Sequence, residues 1–540
     1  MNNILKKKKV QMFFTIFLFI FIINSLIFIA LNISTFRELK ASTKVNINSM
    51  TSQSVVYNVI WGGTGYDDGI DIEVFNDTYI YVVGSTEYGA GLKDILLIKY
   101  YKNGTKIWNT TWGGIYEDVG DSIMFDPMGN IYVSGYTNSY GAGDFDFALV
   151  KFYPNGTKAW NTTWGGALED RGLDITYESN GYIYYIGLTK SFGAGNSDIA
   201  LVVFDLNGTR LGNLTWGGPN DDYGYKILLD SNGSIYMIGT TYSQGAGLAD
   251  YLLIKLDSSG TELWNITWGG IYRDYGISGI LDTMGNIYII GYTFSYGAGN
   301  TDFGLVKFYP NGTKAWNTTW GGKFHEVGFD IVLDENGNII TTGYTNSSGA
   351  GDKDVSIVKF KSDGDLILNI TWGGALEDIG AGITSNDGYV YSVGYTENFG
   401  AKDEDLALVK FDLIKPWSNH PPDATYIIGI PRNITWVLYD DHASGSYSIF
   451  LNGTKSIDWT LWTNNTPIVI VLNTNNPGIW NYTIKYNDSA NNFGISDTVI
   501  IIIKNTQLPQ IPNFLFVMTI IGLLGAVILS YLLKTKKLIL

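Results

Sequence analysis

The chain has 540 residues, a formal net charge of −16, 65 glycines, 37 tyrosines, 16 tryptophans, three histidines and no cysteine. The lack of cysteine removes disulfide frameworks, thiolate catalysis and cysteine-ligated zinc or iron–sulfur sites, and His325, His420 and His442 are too few for a three-histidine metal centre. The acidic excess lies in residues 42–505, with 26 basic and 50 acidic side chains; such a field repels nucleic acid and anionic lipid and suits cations, neutral sugars or a basic partner.

The N-terminus, residues 1–41, opens with "MNNILKKKK" followed by an apolar run of about twenty residues, the pattern of a signal peptide or an uncleaved signal anchor. Near the other end, residues 513–533 form a second apolar run. Lys534, Lys536 and Lys537 follow it, which predicts a C-terminal transmembrane helix with residues 534–540 as a cytoplasmic tail. On this reading the protein is held at the cell membrane, and everything between the two runs is extracellular.

Between the ends, Trp-Gly-Gly recurs with tryptophan at 61, 112, 164, 216, 268, 320 and 372, a spacing of 51 and then 52 residues. A period near fifty suits a blade of four strands. Each unit alternates with period two in four segments, as in "DSIMFD", "NIYVSGYT", "FALVKFY" and "KAWNTTW", here called strands A to D. The last unit supplies A, B and C but no D, and the missing strand stands alone at the front as "VVYNVIWGG", residues 55–63. This offset predicts a closed seven-bladed β-propeller over residues 54–414, in which the N-terminal strand completes the last blade. The alternative, an open array, leaves the apolar strand 55–61 as an exposed edge.

The units "WGG…EDxG…GNIYVSGYTNSYGAGDFDFALVKF" resemble the SBBP family of β-propeller repeats found in bacterial and archaeal exported proteins. The resemblance covers about residues 54–414 and implies an architecture more than an activity.

Each Trp-Gly-Gly tryptophan is expected to fill the wedge between blades, with about 5 kcal/mol from some 200 Å² of buried ring as an upper limit. The glycines after it and in each Gly-Ala-Gly are expected to serve tight turns through positive φ, and no phosphate cradle is formed because neither a helix start nor a lysine follows. Nucleotide binding is therefore not expected.

Two carboxylates recur. One follows each Trp-Gly-Gly: Asp67, Asp118, Asp170, Asp222, Asp274, Glu326 and Asp378. The other opens strand C: Asp94, Asp146, Asp198, Asp250, Asp302, Asp354 and Asp405. Their plain role is to accept turn N–H groups; the sharper one, for the acids after Trp-Gly-Gly above all, is to hold Ca²⁺. No other cofactor is expected. In a propeller the D–A and B–C loops share one face, so Tyr66, Tyr88, Tyr116, Tyr140, Tyr223, Tyr272 and Tyr296 are candidate contacts on a binding face.

The chain holds nineteen Asn-x-Ser/Thr sequons. Those at Asn103, Asn155, Asn207 and Asn311 fall in C–D turns, while Asn109, Asn161, Asn213, Asn265, Asn317 and Asn369 fall on strand D, so N-linked sugars would coat the rim and one face and leave the loop face bare.

Residues 415–423 read as a Pro-containing linker, and 424–505 as short alternating strands that suit an Ig-like β-sandwich. This module resembles the Ig-like modules placed near the membrane in archaeal surface proteins. Asp440, Asp441, His442 and Asp488 are loop polar residues with metal-ligand chemistry.

The fold expected is thus all-β, a seven-bladed propeller followed by the sandwich and the membrane helix. The function expected is non-catalytic binding or adhesion at the cell surface, with an extracellular protein or glycan as partner. An extracellular propeller enzyme acting on polysaccharide and a purely structural envelope component are the alternatives. His325 beside Glu326 is the one irregular pair with acid–base chemistry, and no residue is assigned as catalytic.

Overall fold

The computed structural model describes residues 54–505 apart from 402, 441–443 and 491. Every regular element among them is a strand. The expected fold class is corrected on this point: among the described residues no helix is long and apolar enough to cross a membrane, and the fold is all-β with no transmembrane helix in it. The expected helix 513–533, the leader 1–41 and the tail 534–540 lie outside the described residues.

The chain divides into two compact units, the first ending at Leu413. The first contains seven four-stranded antiparallel sheets. Blade two is representative, with strands Asp118–Phe125, Ile131–Thr137, Asp146–Phe152 and Lys158–Trp164 in sequential order. Blade seven takes Asp378–Asn386, Tyr389–Thr396 and Asp405–Asp412 from the end of the array and Val55–Trp61 from its beginning. The pairing runs from Val55↔Phe411 to Trp61↔Leu406. A second seam bond, Asp67 N–H to Glu404 C=O at 2.8 Å, joins blade one to blade seven.

Strand A of every blade carries a bulge at the same place, between Gly120 and Ser122 in blade two. The extra residue turns inward and lines a central cavity, so the A strands surround the axis and the D strands form the rim.

Apolar clusters fill the wedges between neighbouring blades. Trp112 packs with Ile95 and Leu97 of blade one and Ile131 and Val133 of blade two; Trp164, Trp268 and Trp372 repeat the arrangement in their wedges. All four are buried, whereas Trp61, Trp216 and Trp320 are half-buried. For six of the seven the difference follows one loop residue; Trp61 is half-buried although Tyr88, which is exposed, stands at the equivalent place. Tyr140, Phe192, Tyr296 and Phe399 lie over the buried four, with ring centroids 5.1 to 5.3 Å apart, while Gln244 and Ser348 stand at the equivalent places for Trp216 and Trp320.

The glycines need a correction. Positive φ belongs to the first glycine of Gly-Ala-Gly, 111° at Gly141, and not to those after tryptophan. A Cβ on Gly113 would overlap the carboxylates of Asp94 and Asp118, and the first glycine of each Trp-Gly-Gly meets the equivalent pair. Close approach explains these glycines, not turn conformation.

The second unit has a three-stranded sheet (Trp417–Ser418, Asn433–Tyr439, Pro467–Val471) and a five-stranded one (Ala424–Ile427, Asp497–Lys504, Gly478–Asp488, Gly445–Leu451, Thr454–Trp462). They share a core around Trp436, Trp462, Ile484 and Tyr486. The segment "SGSYSIFLNGTK" reads as one strand in sequence and is two, because Asn452 and Gly453 both take left-handed φ (48° and 81°) and make a hairpin turn.

Candidate functional site

The loop face is built by the D–A and B–C connections, and each pair is tied together. The Ser139 hydroxyl accepts the Tyr116 N–H at 3.1 Å and donates to the Asp118 carboxylate at 2.7 Å; Ser191, Ser243, Ser295, Ser347 and Asn398 accept the equivalent N–H. The tips are therefore fixed, and what they present is apolar. Exposed side chains there include Ile115, Tyr116, Leu168, Ile271, Tyr272, Phe324 and Leu376 on D–A loops and Tyr88, Leu92 and Leu248 on B–C loops. Only the tyrosines among them were named by the sequence reading. The aliphatic ones occupy three repeat positions, those of Ile115 and Ile271, of Leu168 and Leu376 beside Tyr116 and Tyr272 in the alignment of units, and of Leu92 and Leu248, and that recurrence is the signal that finds them.

The seven candidate tyrosines do not form one set. Tyr88, at 77% exposure, Tyr116 and Tyr272 project from loop tips. Tyr140 and Tyr296 are exposed at one edge but lie on Trp112 and Trp268, and each hydroxyl donates to a carbonyl, Gly113 or Gly269, at 3.0 Å. Tyr66 is half-buried beside Lys93. Tyr223 is corrected: it is the second residue of strand A, buried in the axial cluster and edge-on to Tyr242.

The strand A acids are buried and occupied. In each blade the carboxylate accepts the N–H of the second glycine of Trp-Gly-Gly, at 2.6 to 2.7 Å, and in six of them its other oxygen takes the hydroxyl of the threonine ending strand B: Asp67 from Thr86, Asp118 from Thr137, Asp170 from Thr189, Asp222 from Thr241, Asp274 from Thr293 and Glu326 from Thr345, while Asp378 takes the Asn398 side-chain N–H on the oxygen that holds Gly374. The strand C acids hold the Gly-Ala-Gly loops through N–H groups such as Ala142 to Asp146, 2.7 Å. Among the described residues no group of three or more histidine, aspartate or glutamate side chains converges as metal ligands would. Asp441 and His442 lie outside the described residues; the Asp488 carboxylate takes the Asn492 backbone and side-chain N–H groups. His325 contacts Thr301 Oγ1 (3.1 Å) and Asn300 Nδ2 (3.3 Å) through its two ring nitrogens, while Glu326 turns to Gly322 and Thr345, so the two do not act as a pair.

Chemistry that departs from the repeat sits at the residues flanking the two acids. Lys93, 2% exposed, is ion-paired to Asp68 at 3.2 Å, and the carboxylates of Glu117 and Glu404 act on it from neighbouring blades. Burial raises these acids against the pull of Lys93, Asp68 to about 6, Glu117 to about 7 and Glu404 to about 8. In blade three the Arg171 guanidinium lies 4.8 Å over the Tyr136 ring and pairs with Glu169, which also takes Lys190 at 2.5 Å. Burial pushes Glu169 up, and the two cations outweigh it, holding the carboxyl below its usual range. Lys353 pairs with Glu377 (2.9 Å) near Tyr344 and Tyr395. The sequence reading passed over these residues because it followed what recurs; differences between aligned units at the positions flanking each acid pick them out.

The sequons stand where the strand assignment placed them. Asn103, Asn155, Asn207 and Asn311 are exposed in C–D turns, and Asn109, Asn161, Asn213, Asn265, Asn317 and Asn369 are exposed or half-buried on the outer strands.

Residues 208–245 match the SBBP β-propeller repeat, and residues 285–314 match a β-propeller domain of unknown function. An uncharacterized WD repeat-containing protein of Acanthamoeba polyphaga mimivirus is 25% identical over 384 residues, 58% of this chain and 25% of that protein. The regulatory protein FlaEY of Caulobacter vibrioides is 23% identical over 297 residues, 45% of this chain and 31% of that protein. The chain thus spans a third or less of the length of these relatives. Among solved structures, the WD40 β-propeller domain of Doa1 aligns with 66% of this chain and 96% of its own at 13% identity and a TM-score of 0.41. Both matches fall inside the seven Trp-Gly-Gly units in register, so the chain carries β-propeller repeats of the SBBP type.

Proposed function

We propose that the protein works outside the cell as a non-catalytic binding module, and that the loop face of its propeller docks an extracellular protein or glycan. The observation that carries this reading is the collection of exposed aliphatic and aromatic tips on one face, with the D–A loops of six blades fixed by the Ser139-type bond. Monomeric surfaces rarely expose so much contiguous apolar area without a partner to cover it. Fixed aromatic tips also lose little entropy on binding. The sequons on the turns of the opposite face and on the rim add support, since sugars there leave the loop face clear.

The test is adhesion of beads carrying the full-length protein to intact cells and to a neutral polysaccharide array. Tyr88→Ser, Tyr116→Ser and Tyr272→Ser combined are expected to cut retention at least about tenfold, the loss of two or more anchors. Met128→Ser, Tyr153→Ser and Met284→Ser on the opposite turns should leave it unchanged. Retention that survives the first set, or falls with the second, rejects the loop face as the docking surface.

A further inference from the structure

Strand C of most blades carries a lysine near its end, and an aspartate just past strand A answers it. Lys151 pairs with Asp126 at 3.9 Å, Lys255 with Asp230 at 3.6 Å and Lys359 with Asp334 at 2.8 Å, while Lys307 acts on Asp282. Blade one keeps the lysine, Lys99, and loses the acid. Aligned on the pairs Val74↔Ile80 and Phe125↔Ile131, Phe75 stands in the place of Asp126 and Tyr79 in that of Asn130. Among the described residues no carboxylate pairs with Lys99; its Nζ lies 3.9 Å from the centre of the Tyr79 ring and 5.0 Å from that of Tyr81. Burial pushes this ammonium below its usual range.

The same lysine lines a cleft of about 400 Å³, the scale of small-molecule sites, in which Phe75, Tyr79, Tyr81 and Lys99 of blade one face Met128 and Pro154 of blade two. The cleft opens among A–B and C–D turns, on the face opposite the loop face. Phe75 stacks on Phe125, with ring centroids 4.5 Å apart. Gly129 leaves the Phe75 ring uncovered, since a Cβ there would come within 3.2 Å of its Cζ. Met128 is 75% exposed, a large apolar side chain with nothing over it among the described residues.

Ring faces attract an ammonium but do not neutralise it, so the cleft keeps one half-buried positive charge. A single carboxylate matches that charge. A dianion such as phosphate would bring excess negative charge beside Asp126, which already accepts Asn130 Nδ2 at 2.7 Å, in a chain that is acidic throughout. Walls of rings, a thioether and a proline suit a flat apolar body and would leave the hydroxyls of a sugar without partners. We propose that this cleft binds a small aromatic carboxylate, its carboxylate on Lys99 Nζ and its ring against Phe75, Tyr79 and Met128. Only blade one combines the unanswered lysine with the cleft, so the stoichiometry is one ligand per chain. The site is independent of what the loop face docks.

The experiment titrates the full-length protein with naphthoate, with uncharged naphthamide and with glucuronate at neutral pH, by calorimetry. Naphthoate should saturate one site per chain, and the other two should bind at least about tenfold more weakly. Lys99→Met should keep the melting temperature and cut naphthoate affinity by at least about tenfold. Phe75→Asp supplies the acid that the other blades have; it should pair with Lys99 and lose naphthoate to the same extent. Lys307→Met, which removes a lysine already answered by Asp282, should bind as the wild type does. Should Phe75→Asp fail to fold, Lys99→Met decides alone. Naphthoate that does not saturate, naphthamide bound as tightly, or an affinity that survives Lys99→Met overturns the proposal. Glucuronate bound more tightly than naphthoate overturns it too, by making the occupant a sugar acid.

Discussion

Blade two is made from one continuous stretch, and blade seven is assembled from the two ends of the array, yet their outer pairs are the same. In blade two Phe147↔Trp164 leads through Val150↔Asn161 and Lys151↔Trp160 to Phe152↔Lys158, with an irregularity before the last pair. In blade seven Leu406↔Trp61 leads through Val409↔Asn58 and Lys410↔Tyr57 to Phe411↔Val55, with the irregularity at the same step. A strand separated from its partner by more than three hundred residues thus reproduces the register, and the bulge, of one joined by a short turn. Side-chain alternation and wedge packing set the register; the turn is dispensable. What the seam lacks locally it replaces with cross-ties: Asp412 N–H to Ser54 C=O at 2.8 Å, Lys102 Nζ to Asp387 at 2.5 Å, and Asn386 to Asp77 at 2.8 Å.

The largest break in this equivalence should come from removing the seam strand. Deleting residues 54–61 uncovers an apolar edge in blade seven and frees blade one, and the melting temperature should fall by about 10 °C or more with loss of a single transition, followed by circular dichroism. Next are the glycines. Gly113→Ala in an ordinary wedge puts a Cβ against Asp94 and Asp118 and Gly62→Ala at the seam puts one against the equivalent pair Asp405 and Asp67, so each should cost about 2–4 kcal/mol in urea unfolding, and the two values should agree. A much cheaper Gly62→Ala would show that the seam is looser than the wedges.

Acidity provides a third handle, because Glu404 and Asp68 flank the seam and Glu117 sits one blade on. Their folded values are raised above those of the unfolded chain, so the native state binds more protons between about pH 4 and 8. Stability from these groups is present at the acid end and is lost as pH rises through about 6 to 8. Glu117→Gln should flatten part of that slope in melts taken from pH 5 to 8.

The smallest effects concern the aromatic covers. Tyr140→Ser removes the ring over Trp112 and should cost about 1 kcal/mol, whereas Tyr88→Ser, at the equivalent loop position but exposed, should cost near nothing.

Much of this was legible in the sequence because a sevenfold repeat prints its architecture seven times. The offset between a lone "VVYNVIWGG" and a last unit without strand D announced the closure, and the strand assignment put the sequons on turns and rim. The same repetition hid the chemistry. Asp121 faces the axis only because the bulge after Gly120 adds a residue and reverses the inward parity, which period-two counting does not register. Tyr223 and Tyr272 look alike in composition, but one has entered strand A and the other stays in the loop, two residues before the strand begins. Lys93, Glu117 and Glu404 sit beside invariant acids and were read as part of the loops, since their burial and mutual approach come from adjacent blades meeting. The helix expected at 513–533 rested on apolar length and on Lys534, Lys536 and Lys537 after it, and that segment lies outside the described residues.

Closure places the D–A and B–C loops of all seven blades around one face, and a chain without cysteine allows it to be tested with one engineered pair. Tyr57→Cys with Lys410→Cys spans the seam, and Lys99→Cys with Trp108→Cys spans the matching pair in blade one. Under mild oxidation both should form a disulfide to the same extent, read as a mobility shift on denaturing gels that reductant reverses. Free thiols at 57 and 410, beside an oxidised 99–108 control, would contradict the ring.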